Sequence, residues 1–238
     1  MKLRRCWSLI GSSSLAEGIR DFVRIHSRLS GPVMLSGEPG VGKVRIARFI
    51  HQGVLRREEP FHVVDCSNFF ADELDDKLFG CVEPAPGGNA GQGVLRVPGG
   101  GTCYLARSEE IAPAVQKSLC EYVLSGRAGG SQPGACTRLV LSSPMDIAAF
   151  TRAGLFDRSF FDTFSSSLLP VPALRQRQED LRSLVDYYAG NLRGSEGKGE
   201  GRAFSSVALE ALVSYPWPGN HRELESEIKR VVQNVTGK

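Results

Sequence analysis

Residues Gly37-Glu38-Pro39-Gly40-Val41-Gly42-Lys43 have the spacing G-x-x-x-x-G-K, which constrains this chain more than any other string in it. The apolar run Val33–Ser36 precedes the string and a helical pattern beginning at Lys43 follows it. A strand, a glycine loop and a helix in that order form a cradle for phosphate. The glycines let backbone N–H groups curl around oxygens, and the helix N-terminus adds partial positive charge. Lys43 has the reach to meet the terminal phosphates. Such a loop ordinarily closes on Ser or Thr, whose hydroxyl binds Mg2+. Here that place is Val44, which has no oxygen to offer.

The strand–helix alternation continues beyond the loop, as in a parallel sheet covered by helices. Strands are predicted at Val33–Ser36, His62–Asp65, Thr102–Leu105, Arg138–Ser142 and Leu168–Val171. Helices are predicted at Lys43–Leu55, Ala71–Phe79, Ala112–Ser125, Glu179–Leu192, Ala208–Ser214 and Arg222–Val235. Leu181, Leu184, Val185 and Tyr188 recur at helical spacing. No strand pattern follows Pro172. The expected organisation is therefore an α/β nucleotide-binding core over residues 1–172 and a helical lid over 173–238. The stretches 83–93 and 194–201, rich in glycine with proline or charge, are expected loops.

Composition narrows the function classes. A net charge of +3 is too small to imply nucleic-acid binding. No apolar run approaches the roughly 20 residues of a membrane span, and Lys2, Arg4 and Arg5 are not followed by a signal-type core. The six cysteines are scattered with no C-x-x-C pair. Reduced thiols in a cytoplasmic protein are expected, rather than a disulfide framework or a metal site.

Further strings surround the loop in a fixed order: Leu9-Ile10-Gly11, Ile46-Ala47-Arg48-Phe49-Ile50-His51, Pro60-Phe61, Asp65-Cys66, Lys77-Leu78-Phe79-Gly80, Gly99-Gly100-Gly101-Thr102, and Trp217-Pro218-Gly219-Asn220-His221-Arg222-Glu223-Leu224. Together they resemble the AAA+ central domain of bacterial sigma-54-dependent transcription activators, from about residue 9 to 236. The resemblance implies a P-loop core with a five-stranded parallel sheet and a helical lid. It also implies a hexameric ring ATPase that remodels sigma-54 RNA polymerase. Gly37 through Val44 would bind ATP or ADP, Ile10 and Gly11 would line the adenine pocket, and Arg222 would sense the γ-phosphate.

The same resemblance exposes departures. Where the family ends a strand in Asp-Glu, for Mg2+ and for activating water, this chain has Ala106-Arg107. Glu109 and Glu110 fall two or three residues further on, and read as solvated residues at a helix start. Asp65 stands for the Asn that restrains the catalytic Glu, and Ser143-Pro144 for the Asn that reads the γ-phosphate. Asp157 and Thr163 occupy the places of the arginines presented to a neighbouring subunit, with Arg158 about 100° round a helix from the first. The G-A-F-T-G-A loop that touches polymerase is replaced by 81–90, which has no aromatic residue.

No catalytic or metal-binding residue is therefore assigned, and Mg2+ is expected weakly or not at all. Turnover is not expected. The reading is a degenerate module in transcription regulation that binds ATP or ADP and works as a regulatory or partner subunit. Its ring partners would be copies of itself or an intact relative. The altered loop argues against contact with sigma-54 polymerase, and no DNA-binding domain is expected in this chain. The alternatives are an interaction scaffold without nucleotide, or an active ATPase activator.

Overall fold

A computed structural model describes residues 9–53, 58–80, 93–97, 100–125, 137–144, 146–154, 156–193 and 204–236. The elements run α1 (Ser14–His26), β1 (Val33–Ser36), α2 (Lys43–His51), β2 (Phe61–Asp65), α3 (Ala71–Phe79), β3 (Gly101–Ala106), α4 (Pro113–Leu124), β4 (Thr137–Ser143), α5 (Ile147–Arg152), α6 (Arg158–Phe164), β5 (Leu168–Pro170), α7 (Leu181–Arg193), α8 (Ser206–Ser214) and α9 (Asn220–Thr236). They fall into two compact units. One holds residues 22–37 and 46–170; the other holds the residues up to 21, 38–45 and those from 171 onward.

The first unit is built on a five-stranded parallel sheet in the order β2-β3-β4-β1-β5. Its inner strands are covered on both faces, so they are buried along their length rather than in alternation. β2, at an edge, leaves Val63 half exposed. Pairing runs Asp65 to Ala106, Ala106 to Ser142 and Ser36 to Ser143, which levels the carboxyl ends of four strands. Met34, Leu105, Leu119, Leu141, Phe160 and Phe164 anchor its core. Arg138 lies in the central strand β4 and is fully buried. Its Nε donates to the Gly31 carbonyl at 2.9 Å and its Nη1 to that of His26 at 2.8 Å. Those bonds offset the cost of burying the guanidinium.

The second unit has a separate apolar core. Leu181, Leu184, Val185 and Tyr188 on α7 meet Leu209 on α8 and Leu224, Ile228 and Val232 on α9. Trp217 closes this core, with its indole N–H donating to the Leu212 carbonyl at 2.8 Å.

The five predicted strands form within one residue of their expected ends. The predicted α2 differs, since the helix stops at His51 and turns at Gln52–Gly53. Three helices, α1, α5 and α6, were not marked by the sequence reading. α1 buries Ala16, Ile19 and Val23 at helical spacing, and Ser13 caps it by accepting from the Ala16 N–H at 3.1 Å. Among the described residues no helix is long and apolar enough to cross a membrane.

Candidate functional site: the phosphate loop and its supports

The loop leaves β1 at Gly37, whose N–H donates to the Ser143 carbonyl at 3.1 Å. From Glu38 to Arg45 the loop belongs to the helical unit. Gly37, Gly40 and Gly42 all have positive φ. Gly40 is the position where nothing larger fits. A Cβ there would stand 2.2 Å from the Gly219 carbonyl oxygen and 3.5 Å from Arg222 Cβ, on top of the strain of φ +83°. Gly219 of the Trp217–Leu224 string therefore lies against the loop, and Arg222 stands beside it, exposed. Val41, within the loop, is buried. Lys43 opens α2 and its Nζ donates to the Glu38 carbonyl at 3.0 Å. Val44, next on the helix, presents only carbon.

Glu38 is more than a loop filler. Its carboxylate takes both Nη groups of Arg175, one of them at 2.8 Å, and the Asn220 amide at 3.1 Å. The Arg175 bonds first, and Asn220 next, hold its carboxyl down at about 2 from an ordinary 4.5. A carboxyl depressed by folding stabilises the fold above its unfolded value and loses that contribution as pH falls through its folded value. The window is therefore pH 4.5 down to about 2. Glu38→Gln is expected to flatten the loss of denaturant stability across that window, by a small amount because the pair is partly exposed. An unchanged acid limb would contradict the assignment.

Ile10 and Gly11, the expected adenine segment, lie in the same helical unit and are held by residues the sequence reading did not single out. Arg177 Nη2 donates to the Ile10 carbonyl at 2.7 Å, and Arg20 Nη1 to those of Leu9 and Gly11 at 3.0 and 2.8 Å. Arg177 Nε pairs with Asp180 at 2.9 Å, both residues fully buried. Asp180 accepts from the Ser13 N–H at 2.9 Å and the Ser13 hydroxyl at 2.5 Å. Burial alone would raise the Asp180 carboxyl; the bonds from Ser13 and Arg177 outweigh it and leave the carboxyl below its usual range. A Cβ on Gly11 would fall 2.1 Å from the Asp180 carboxylate, so this position must be glycine. The available signal was the charge-dense run Arg175-Gln176-Arg177-Gln178-Glu179-Asp180 between the last strand and α7. His221 is buried nearby in sequence to Arg222. Desolvation first, then Arg177 and Arg45, push its imidazole well below its usual value, so it is neutral at pH 7.

The carboxyl edge of the sheet belongs to the other unit. There Ala106 ends β3 and Arg107 follows in the left-handed conformation, φ 56°. Its guanidinium forks onto Asp65 at the end of β2, Nε to Oδ1 at 2.7 Å and Nη2 to Oδ2 at 2.5 Å. Arg107, helped by Ser67, keeps the Asp65 carboxyl below its ordinary range. Glu109 and Glu110 do not open a helix as expected. They lie in a 3-10 turn, Ser108–Glu110, and α4 begins only at Pro113, because proline is suited to the first helical position. Glu109 is half buried rather than solvated.

Asp157 caps α6, accepting from the Phe160 N–H at 2.8 Å and the Ser159 hydroxyl at 2.5 Å. Thr163 bonds back to the Ser159 carbonyl at 2.7 Å. Arg158 faces solvent, 3.7 Å from Asp162 one turn on. Cys66 and Cys103 are free and buried; burial first, then Asp65 and Glu109, push the Cys66 thiol up to about 12. No group of three or more metal-type side chains gathers among the described residues. The expected loops at 83–93 and 194–201, and the replaced 81–90 segment, lie outside the described residues, save Gly93.

Residues 9–167 match the family model described as the sigma-54 interaction domain. The chain belongs to this family. Residues 175–238 match the model of the AAA+ ATPase lid domain. Among curated members, the chain is 28% identical over 237 residues to the transcriptional regulatory protein ZraR of Escherichia coli (strain K12), covering 97% of this chain and 54% of that protein. It is 32% identical over 229 residues to XylR of Pseudomonas putida, covering 94% and 40%. The chain thus spans about half the length of the curated relatives it matches. Among solved structures, it is similar to NtrX from Brucella abortus in complex with ADP, with TM-score 0.78, 25% identity, and coverage of 95% and 51%. The likeness to NtrX in complex with ATP has TM-score 0.79 at 24% identity, and shows the fold.

Proposed function

We propose that this family member is an AAA+ module of transcription regulation that binds ATP or ADP on residues 37–44 and hydrolyses it poorly or not at all. Ile10, Gly11 and Arg222 complete the nucleotide contacts. Residues 1–172 act as the core and 173–238 as the lid. It works in the cytoplasm as a regulatory or partner subunit, in a ring of its own copies or with an intact relative.

The Asp65–Arg107 pair carries this reading. Hydrolysis on a P-loop fold needs a carboxylate for Mg2+ and a residue that positions water. The strand end offers a methyl group at Ala106, and the guanidinium after it is committed to Asp65. Arginine cannot accept a proton at neutral pH. The loop itself keeps its glycine backbone and Lys43, and the related NtrX structure with ADP supports nucleotide as the ligand. A bound Mg2+ would supply charge neutralisation of the phosphates, but the residues present do not fit it, because Val44 and Ala106 lack oxygen.

A second reading, an interaction scaffold without nucleotide, draws on that lack and on Lys43 being bonded to the Glu38 carbonyl. Thermal unfolding with added ATP separates the two. ATP at 100-fold above its dissociation constant is expected to stabilise the wild-type chain by about 2.7 kcal/mol. Lys43→Ala is expected to abolish the gain. No gain in the wild type favours the scaffold, and an equal gain in Lys43→Ala places the nucleotide elsewhere.

A further inference from the structure

Arg175 and Asn220 touch the phosphate loop without belonging to it. Arg175 forks onto the Glu38 carboxylate. The Asn220 amide nitrogen donates to Glu38 Oε2 and to the Pro39 carbonyl, both at 3.1 Å. Its oxygen accepts from the Leu174 N–H at 2.7 Å. One fully buried side chain at the first residue of α9 thus bridges the loop and the turn that carries Arg175. The N–H groups of residues 40–43 can cradle phosphate only if their backbone is held in one form, and a stretch with two glycines, Gly40 and Gly42, has many others. Glu38 is the only carboxylate in the loop, and it is held from two directions.

We propose that Arg175 and Asn220 are positioning residues of the phosphate loop, acting through Glu38 to fix its backbone and to tie it to the helix that carries Arg222. A loop ordered in advance does not lose that freedom when phosphate arrives, so affinity rises without new contacts to the ligand. The inference rests on the nucleotide reading, and the test separates the two.

The full chain and its Arg175→Leu and Glu38→Gln variants are titrated with ATP, and amide hydrogen exchange of residues 40–43 is followed without nucleotide. Both variants are expected to bind ATP roughly threefold to tenfold more weakly, in line with losing a bidentate pair. Both are expected to exchange faster at the loop while exchange within α7 and α9 is unchanged. The reversed pair, Glu38→Arg with Arg175→Glu, is expected to recover part of both effects, which a general loss of stability would not do. If Arg175→Leu fails to fold, Glu38→Gln, which keeps the side-chain shape, decides. If the wild type takes no ATP, the nucleotide reading falls and the exchange comparison still judges the positioning role. Unchanged exchange and affinity in a folded variant overturn it.

Discussion

Purified chain incubated with Mg-ATP is expected to release phosphate no faster than buffer. Ala106 offers no metal ligand and Arg107 no base, so on the proposed reading two large contributions to phosphoryl transfer would be missing together. Changing Ala106→Asp and Arg107→Glu together is expected to give little recovery. An arginine supplied by a neighbouring subunit is worth about 10³–10⁵ in rate. Where the resemblance would place such arginines this chain has Asp157, which caps α6, and Thr163, which bonds back within it. The structure adds a second obstacle. Glu at 107 would face Asp65 where the guanidinium now sits, and two carboxylates at hydrogen-bonding range repel. Asp65→Asn would have to accompany the change to relieve that repulsion. The measurement is phosphate release at micromolar protein, alone and mixed with an intact family member. Robust turnover by the chain alone would sink the inactive reading and turn attention to Glu109, half buried just beyond Arg107.

Asp180→Ala is expected to be the most damaging single substitution in the helical unit, lowering stability by about 3–5 kcal/mol. Removing one partner of a buried pair takes the carboxylate away from the other charge, and Arg177 is fully buried. The same change strips Ser13 of the acceptor for both its N–H and its hydroxyl. Arg177 would lose the anchor that aims it at the Ile10 carbonyl, so the Ile10–Gly11 segment is expected to loosen as well. Urea denaturation of wild type and variant gives the number. A loss near that of an exposed ion pair, below about 1 kcal/mol, would mean that the pair is better solvated than its burial indicates.

The sequence by itself determined what depends on local pattern. The apolar runs at β1, β3 and β4 are buried on both faces, so continuous hydrophobicity marked them without reference to any partner. The phosphate loop was legible because glycine at fixed offsets before a helix encodes backbone shape directly. That the side chains at Ala106 and Arg107 are a methyl group and a guanidinium was legible because side-chain identity needs no geometry to be seen. The short α5 and α6 were harder to mark, having six and seven residues. α1 became plain only when Ala16, Ile19 and Val23 had something to bury against.

Tertiary structure decided the polar partnerships. No local pattern singles out Arg20, Arg175, Arg177 or Asp180, and their partners are up to 167 residues away. No periodicity encodes that separation, because a hydrogen bond depends on where the chain returns. Arg138 would have been placed outside on charge alone, whereas the carbonyls of His26 and Gly31 hold it in the core. Asp65 and Arg107 are 42 residues apart, and each looks like an isolated loss. Parallel pairing of β2 with β3 brings their ends level and makes the two changes one ion pair.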